Sequence, residues 1–128
     1  MLNTLRTRLK ADEGFTLIEL LVVIIILGIL MAIAIPSYLG FKDRANKSAA
    51  QANVRSAVPG VEAYAADNNG YLGVTLAALQ ASYDAGIKNI TFGSVAPTAT
   101  TYCIQSTVGT YTFFKAGPGA DIVSGSCP

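Results

Sequence analysis

The stretch EGFTLIELLVVIIILGILMAIAIP, residues 13–36, decides how the rest of this 128-residue chain is read. From Phe15 to Ile35 it offers 21 residues interrupted by a single charge, Glu19. At a rise of ~1.5 Å per residue, a helix of that length reaches about 31 Å, close to the ~30 Å hydrocarbon core of a bilayer. Arg6, Arg8 and Lys10 precede the segment and Lys42, Arg44 and Lys47 follow it, so the bases alone do not fix its direction. A short N-terminal arm with no export signal ahead of it is expected to stay in the cytoplasm, which sends the remainder outward.

Glu19 is the fault in this span. An acid at mid-bilayer costs about 2.5 to 3.5 kcal/mol on insertion scales, so the carboxylate must sit near the interface, be protonated or find a cation. No Lys or Arg lies between Phe15 and Phe41. A cut between Gly14 and Phe15 would create a cation, because a new α-amino group, charged at neutral pH, would appear four residues before Glu19. Helix spacing lets that amine meet the carboxylate of its own chain, and staggered neighbouring helices let it meet that of another. The plainer account is that Glu19 reaches back to the interface.

The remaining composition narrows the function. The net charge is +1, and the chain has no His and no Trp. Bulk attraction to nucleic acid or anionic lipid is therefore not the theme, and the commonest general base and metal ligand near neutral pH is missing. No catalytic residue, cofactor or metal site is assigned, and an enzyme is not expected. One small domain plus one anchor fills the length. Two alternatives to an assembling anchor stand. A cleaved secretory signal would explain the basic start and the AIA at residues 32–34, but the apolar run exceeds the usual ~7 to 15 residues and carries an acid. A permanent single-pass tether for a monomeric binding module leaves Glu19 without a partner.

GFTLIELL, residues 14–21, after a short charged leader and before an unbroken apolar helix, resembles the N-terminal signature of the type IV pilin and pseudopilin family. The resemblance implies that a prepilin peptidase cuts after Gly14 on the cytoplasmic side, removes residues 1–14 and methylates the amine of Phe15. It also implies that Glu19 pairs with the Phe15 amine between subunits during filament assembly. Removing the leader takes three of nine basic and two of eight acidic residues, leaving six of each in 114 residues. A balanced chain suits close packing of identical subunits. The implied partners are other copies of the chain in a homopolymer, the processing peptidase and methyltransferase, and a membrane assembly machinery. The membrane holds the precursor, as a single-pass protein with its C-terminus outside, before the mature chain enters an extracellular filament.

Residues 15–36 are thus read as the membrane and assembly helix and residues 37–66 as its amphipathic continuation. Phe41, Ala45, Ala49 and Ala52, then Val54, Val58, Val61 and Ala65, recur at three- and four-residue spacing. Lys42, Asp43, Arg44, Asn46, Lys47, Gln51 and Arg55 fill the other face, which reads as a solvated surface; DNA binding is not supported. Gly28 and Pro36 make local unwinding of the span easier, since the proline leaves the carbonyl of Ala32 without its partner. In the family such positions are associated with a segment that melts on assembly. Pro59 followed by Gly60 predicts a kink, or a break into two helices, near residues 56–60, because an interior proline costs about 3 kcal/mol.

DNNGY, residues 67–71, is expected to end the helix and open a globular head over residues 67–128. Thr75 is placed as the cap of a short helix running to about Tyr83. NITFGSV, TYCIQSTV and TYTFFKA predict about three antiparallel strands, with VGT turning between the last two. The fold class is therefore α+β, a long N-terminal helix packed on a small C-terminal antiparallel sheet. Such a head is near the size at which a core alone is marginal. Cys103 and Cys127 address that, since a disulfide closing about 25 residues adds about 3.5 kcal/mol in the loop-entropy treatment. Two Cys without His are too few for a metal. The closed loop, which contains GPGADIVSGS, fastens the C-terminus; the family resemblance adds that such loops form displayed surface.

Two functions follow from the resemblance. One is the major structural subunit of a type IV pilus, serving adhesion, motility or related surface functions. The other is a pseudopilin of a type II secretion or DNA-uptake system. Major pseudopilins of type II secretion often carry a calcium-binding acidic loop, and here only Asp84 and Asp121 follow Asp67, few for a site of six to eight oxygens.

Overall fold

A computed structural model describes residues 14–128, so the expected leader lies outside the described residues except for Gly14. The elements are α1 (Leu17–Asn68), α2 (Leu76–Ser82), β1 (Thr91–Phe92), β2 (Cys103–Val108), β3 (Tyr111–Ala116) and β4 (Val123–Ser124). They fall into two compact units, Met1–Gly40 and Phe41–Pro128, and α1 contributes to both.

In the first unit every residue from 17 to 39 is exposed, including Leu17, Ile24, Ile29 and Ile33. A helix that is apolar all round is stable only inside lipid or protein. Among the described residues this unit holds no second element to cover it, so the exposed surface suits burial in a membrane or against other chains. The span is long and apolar enough to cross a bilayer.

In the second unit α1 buries Ala50, Val54, Ala57, Gly60 and Val61, an i, i+4, i+7, i+11 stripe with a glycine beside its end. The stripe starts later than the spacing predicts: Phe41 is 70% exposed, and Ala45 and Ala52 also face outward. Around the stripe pack Tyr71, Val74, Leu79, Ile87, Ile90, Tyr102 and Ile104. The expected break into two helices at residues 56–60 does not occur, for α1 runs through Pro59 and Gly60. Packing explains why. A Cβ at position 60 would lie 2.5 Å from Ile87 Cδ1, so the glycine admits Ile87 against the helix, while Pro59 stays on the exposed side. Burial of an isoleucine contributes about 1.5 to 3 kcal/mol, which offsets much of the proline cost.

The sheet has four antiparallel strands in the order β1-β2-β3-β4, one more than the sequence suggests. The additional strand, β4, pairs Phe113 with Ser124 and Phe114 with Val123, within the segment read as loop. NITFGSV supplies only Thr91 and Phe92, paired with Gln105 and Ile104. β2 and β3 form the hairpin, with Val108 opposite Tyr111 and Gly109 at φ 62°, the left-handed conformation that a two-residue loop needs. Ile104 and Ser106 of β2 and Phe113 and Lys115 of β3 are the buried residues, as strand alternation requires. Ser106 is satisfied on both sides: it accepts from Asn53 Nδ2 at 3.0 Å and donates to the Asn89 carbonyl at 2.7 Å, joining α1, β2 and the approach to β1. α1 ends two residues later than expected, and Thr75 caps α2 by accepting from the Ala78 amide at 3.1 Å.

Candidate functional site

The start of α1 places Thr16 and Glu19 together. The Thr16 amide donates to Glu19 Oε2 at 2.8 Å, and the Glu19 amide donates to Thr16 Oγ1 at 3.3 Å. This reciprocal pair is a capping box, in which each side chain satisfies an amide that the first helical turn leaves free. The carboxylate also lies at the positive end of the helix dipole. Its Oε2 is thereby held against the backbone one residue from Phe15. Glu19 therefore has a role within its own chain that the reading of it as a bare charge missed, although Thr-x-x-Glu before an apolar run is the sequence mark of this cap. Gly14 and Phe15 precede the helix, and Phe15 is 83% exposed.

Gly28 and Pro36 lie inside α1, which is helical at both. A Cβ on Gly28 would meet nothing within 4 Å, so no packing among the described residues calls for a glycine there. Near Pro36, Ser37 Oγ donates to the Ile33 carbonyl at 3.3 Å. Side-chain bonds of this kind compete with the backbone ladder and favour bending. Pro59 lies in the second unit, beside an open cleft of about 610 Å³ lined by Arg55, Val58, Pro59, Lys115, Ala120, Asp121 and Ile122.

In the second unit Cys103 and Cys127 form a disulfide with Cα atoms 5.9 Å apart. The tail is further held by the Cys127 amide, which donates to Gln105 Oε1 at 2.7 Å, and by Ser94 Oγ, which donates to the Pro128 carbonyl at 3.2 Å. Gly93 makes room for this, since a Cβ there would lie 2.6 Å from Cys127 Cβ. The loop between β3 and β4 is organised by Lys115. Only 8% exposed, its ammonium donates to the carbonyls of Pro118 and Ala120.

A tyrosine network ties the last turns of α1 to the head. Glu62 accepts from the Tyr71 hydroxyl at 2.8 Å and from the Tyr102 hydroxyl at 3.2 Å, with the two rings 4.7 Å apart. Burial foremost, then the Glu62 carboxylate, pushes both phenols above their ordinary pKa. Tyr83 is likewise raised, first by desolvation and then by donating to Asp67 at 3.0 Å. These groups brace the end of α1 against the head. Among the described residues no group of three or more His, Cys, Asp or Glu converges on a point that could hold a metal ion.

Comparison with known proteins bears on both units. A family model described as the prokaryotic N-terminal methylation motif matches residues 9–35, which contain Gly14, Phe15 and Glu19. The type IV wide pilus major component PilA4 of Thermus thermophilus is 39% identical over 111 residues, covering 86% of this chain and 85% of that protein. The type II secretion system core protein G of Pectobacterium carotovorum is 40% identical over 60 residues, covering 47% of this chain and 38% of its own. The type IV major pilin protein PilA of Myxococcus xanthus is 38% identical over 60 residues, covering 47% of this chain and 27% of its own. This chain therefore spans well under half the length of the last two.

Proposed function

The chain belongs to the type IV pilin and pseudopilin family, and on that premise we propose that it is the major structural subunit of a surface filament. The supporting observation is the similarity to the wide pilus component, which extends over 86% of this chain and so includes the head as well as the helix. In this reading the precursor sits in the cytoplasmic membrane through residues 15–36 with its head outside. A prepilin peptidase removes the leader after Gly14, and the Phe15 amine is methylated. The exposed apolar surface of α1, which the chain itself leaves uncovered, moves from lipid into the filament interior. The Phe15 amine of one copy pairs there with Glu19 of another, and residues around Gly28 and Pro36 unwind to allow the packing. The disulfide-closed head faces outward. The work is structural and no catalysis is assigned.

A second reading, a pseudopilin of a secretion or uptake system, is supported by the matches to core protein G. Electron microscopy of sheared surface material, with the subunit identified by mass, separates the two. Long fibres built of this chain support the pilin; their absence from cells that process the chain supports the pseudopilin.

A further inference from the structure

We propose that two oppositely charged patches of the second unit, one at the start of the Phe41–Asn68 part of α1 and one at its end, form an axial docking pair between copies of this chain. The proposal rests on the filament reading and specifies which surfaces meet.

Charge is segregated along residues 41–90 of this unit, with Lys115 and Asp121 the one further base and acid. Residues 41–60 hold four bases, Lys42, Arg44, Lys47 and Arg55, against one acid, Asp43, and all five are exposed. Residues 61–90 hold three acids, Glu62, Asp67 and Asp84, against one base, Lys88. Glu62 is half-buried and accepts from the hydroxyls of Tyr71 and Tyr102, whereas Asp67, which accepts from Tyr83, and Asp84, which accepts from the Gly86 amide, are exposed. This placement does not serve the helix. The end of α1 carries the negative pole of the dipole, where a base is stabilising, yet the last turn contains Asp67 and no base.

The patches cannot neutralise each other within one chain. Arg44 and Asp67 are 23 residues apart, about 35 Å along a helix, whereas screening at physiological salt acts over about 8 Å. A second copy displaced along the helix axis by about that distance sets its base-rich start beside the acid-rich end of the first. Such a contact joins two different surfaces and does not close, so each copy offers a free surface to the next and the contact propagates as a filament. Residues 15–128 hold six bases and six acids, so the stack accumulates no net side-chain charge. An anionic partner such as nucleic acid would use only the basic patch and leave the exposed acids Asp67 and Asp84 out of the contact.

The test is charge reversal in the full-length chain. Lys42→Glu with Arg44→Glu should lower fibre yield about tenfold, through like charges placed opposite each other, with Cys103–Cys127 still formed. Asp67→Lys with Asp84→Lys should do the same, and all four changes together should restore fibres. Unchanged yield in the first variant, or no restoration in a quadruple variant that retains its disulfide, overturns the pairing. A measurement that leaves the charges largely in place uses Arg44→Cys with Asp67→Cys. Because both native cysteines are in the disulfide, a short bis-maleimide should link fibres into a ladder, and monomer alone contradicts the contact. Failure of the unaltered chain to form any fibre removes instead the filament reading beneath it.

Discussion

Thr16 and Glu19 hold each other at the start of α1, the Thr16 amide 2.8 Å from Glu19 Oε2 and the Glu19 amide 3.3 Å from Thr16 Oγ1. The arrangement draws the carboxylate toward the chain terminus that cleavage after Gly14 would create, and among the described residues it leaves Oε1 for a further partner. Thr16→Val removes one half of the cap and should weaken the first turn by about 1 kcal/mol while keeping the charge. Glu19→Ala removes both the cap bond and the charge. The Glu19 variant is expected to insert and be cut yet fail to assemble, while the Thr16 variant should assemble at reduced yield. Normal fibre yield from Glu19→Ala contradicts the pairing role.

Processing gives a second prediction. Intact mass and N-terminal analysis of native material should find a chain beginning at methylated Phe15. A start at Met1 contradicts cleavage, and a start at Ile35 shows instead an ordinary signal peptidase acting after the AIA segment.

The fold was legible where a local signal and a tertiary demand agree. The apolar run to Ile35, the Thr75 cap and the β2–β3 hairpin all follow from residues close in sequence. Pro59-Gly60 does not break the helix although local propensity opposes it, because Ile87, 27 residues onward, needs the glycine to approach it. β4 was hidden for a related reason. Val123 and Ser124 lie among glycines, and only pairing with Phe114 and Phe113 makes them a strand. In the candidate site, Gly14, Phe15 and Glu19 were readable as a motif, but the capping role of Thr16 was overlooked. Glu62 gave no hint at all, since its partners Tyr71 and Tyr102 meet it only in the folded head.

The disulfide and Gly93 should act as one unit. Cys103→Ser with Cys127→Ser is expected to lower the stability of the head by about 3.5 kcal/mol in urea denaturation of the detergent-solubilised chain. Gly93→Ala should slow disulfide formation, because the added methyl would lie 2.6 Å from Cys127 Cβ, closer than two carbons can approach. Free-thiol labelling during refolding reads this directly. Equal rates for Gly93→Ala and the unaltered chain contradict the close approach.

Alkaline pH should loosen the head through its tyrosines. Tyr71, Tyr102 and Tyr83 have raised pKa values in the folded chain, so folding favours their protonated phenols. That stability is fully present below the ordinary phenol pKa of about 10 and is lost as pH rises toward the folded values. Thermal unfolding followed against pH should therefore hold steady near neutrality and fall above about pH 10. Tyr71→Phe with Tyr102→Phe should flatten the fall, at a cost near neutrality of about 1.5 to 3 kcal/mol for each bond to Glu62 removed. An unchanged alkaline slope contradicts the assignment.

The central claim is that a positive terminus made by cleavage neutralises Glu19 of an adjacent copy. A high-resolution map of the assembled filament measures it most directly. The account predicts the Phe15 amine of one subunit within about 4 Å of Glu19 of its neighbour, shielded from water. The two groups far apart, each separately hydrated, would contradict it.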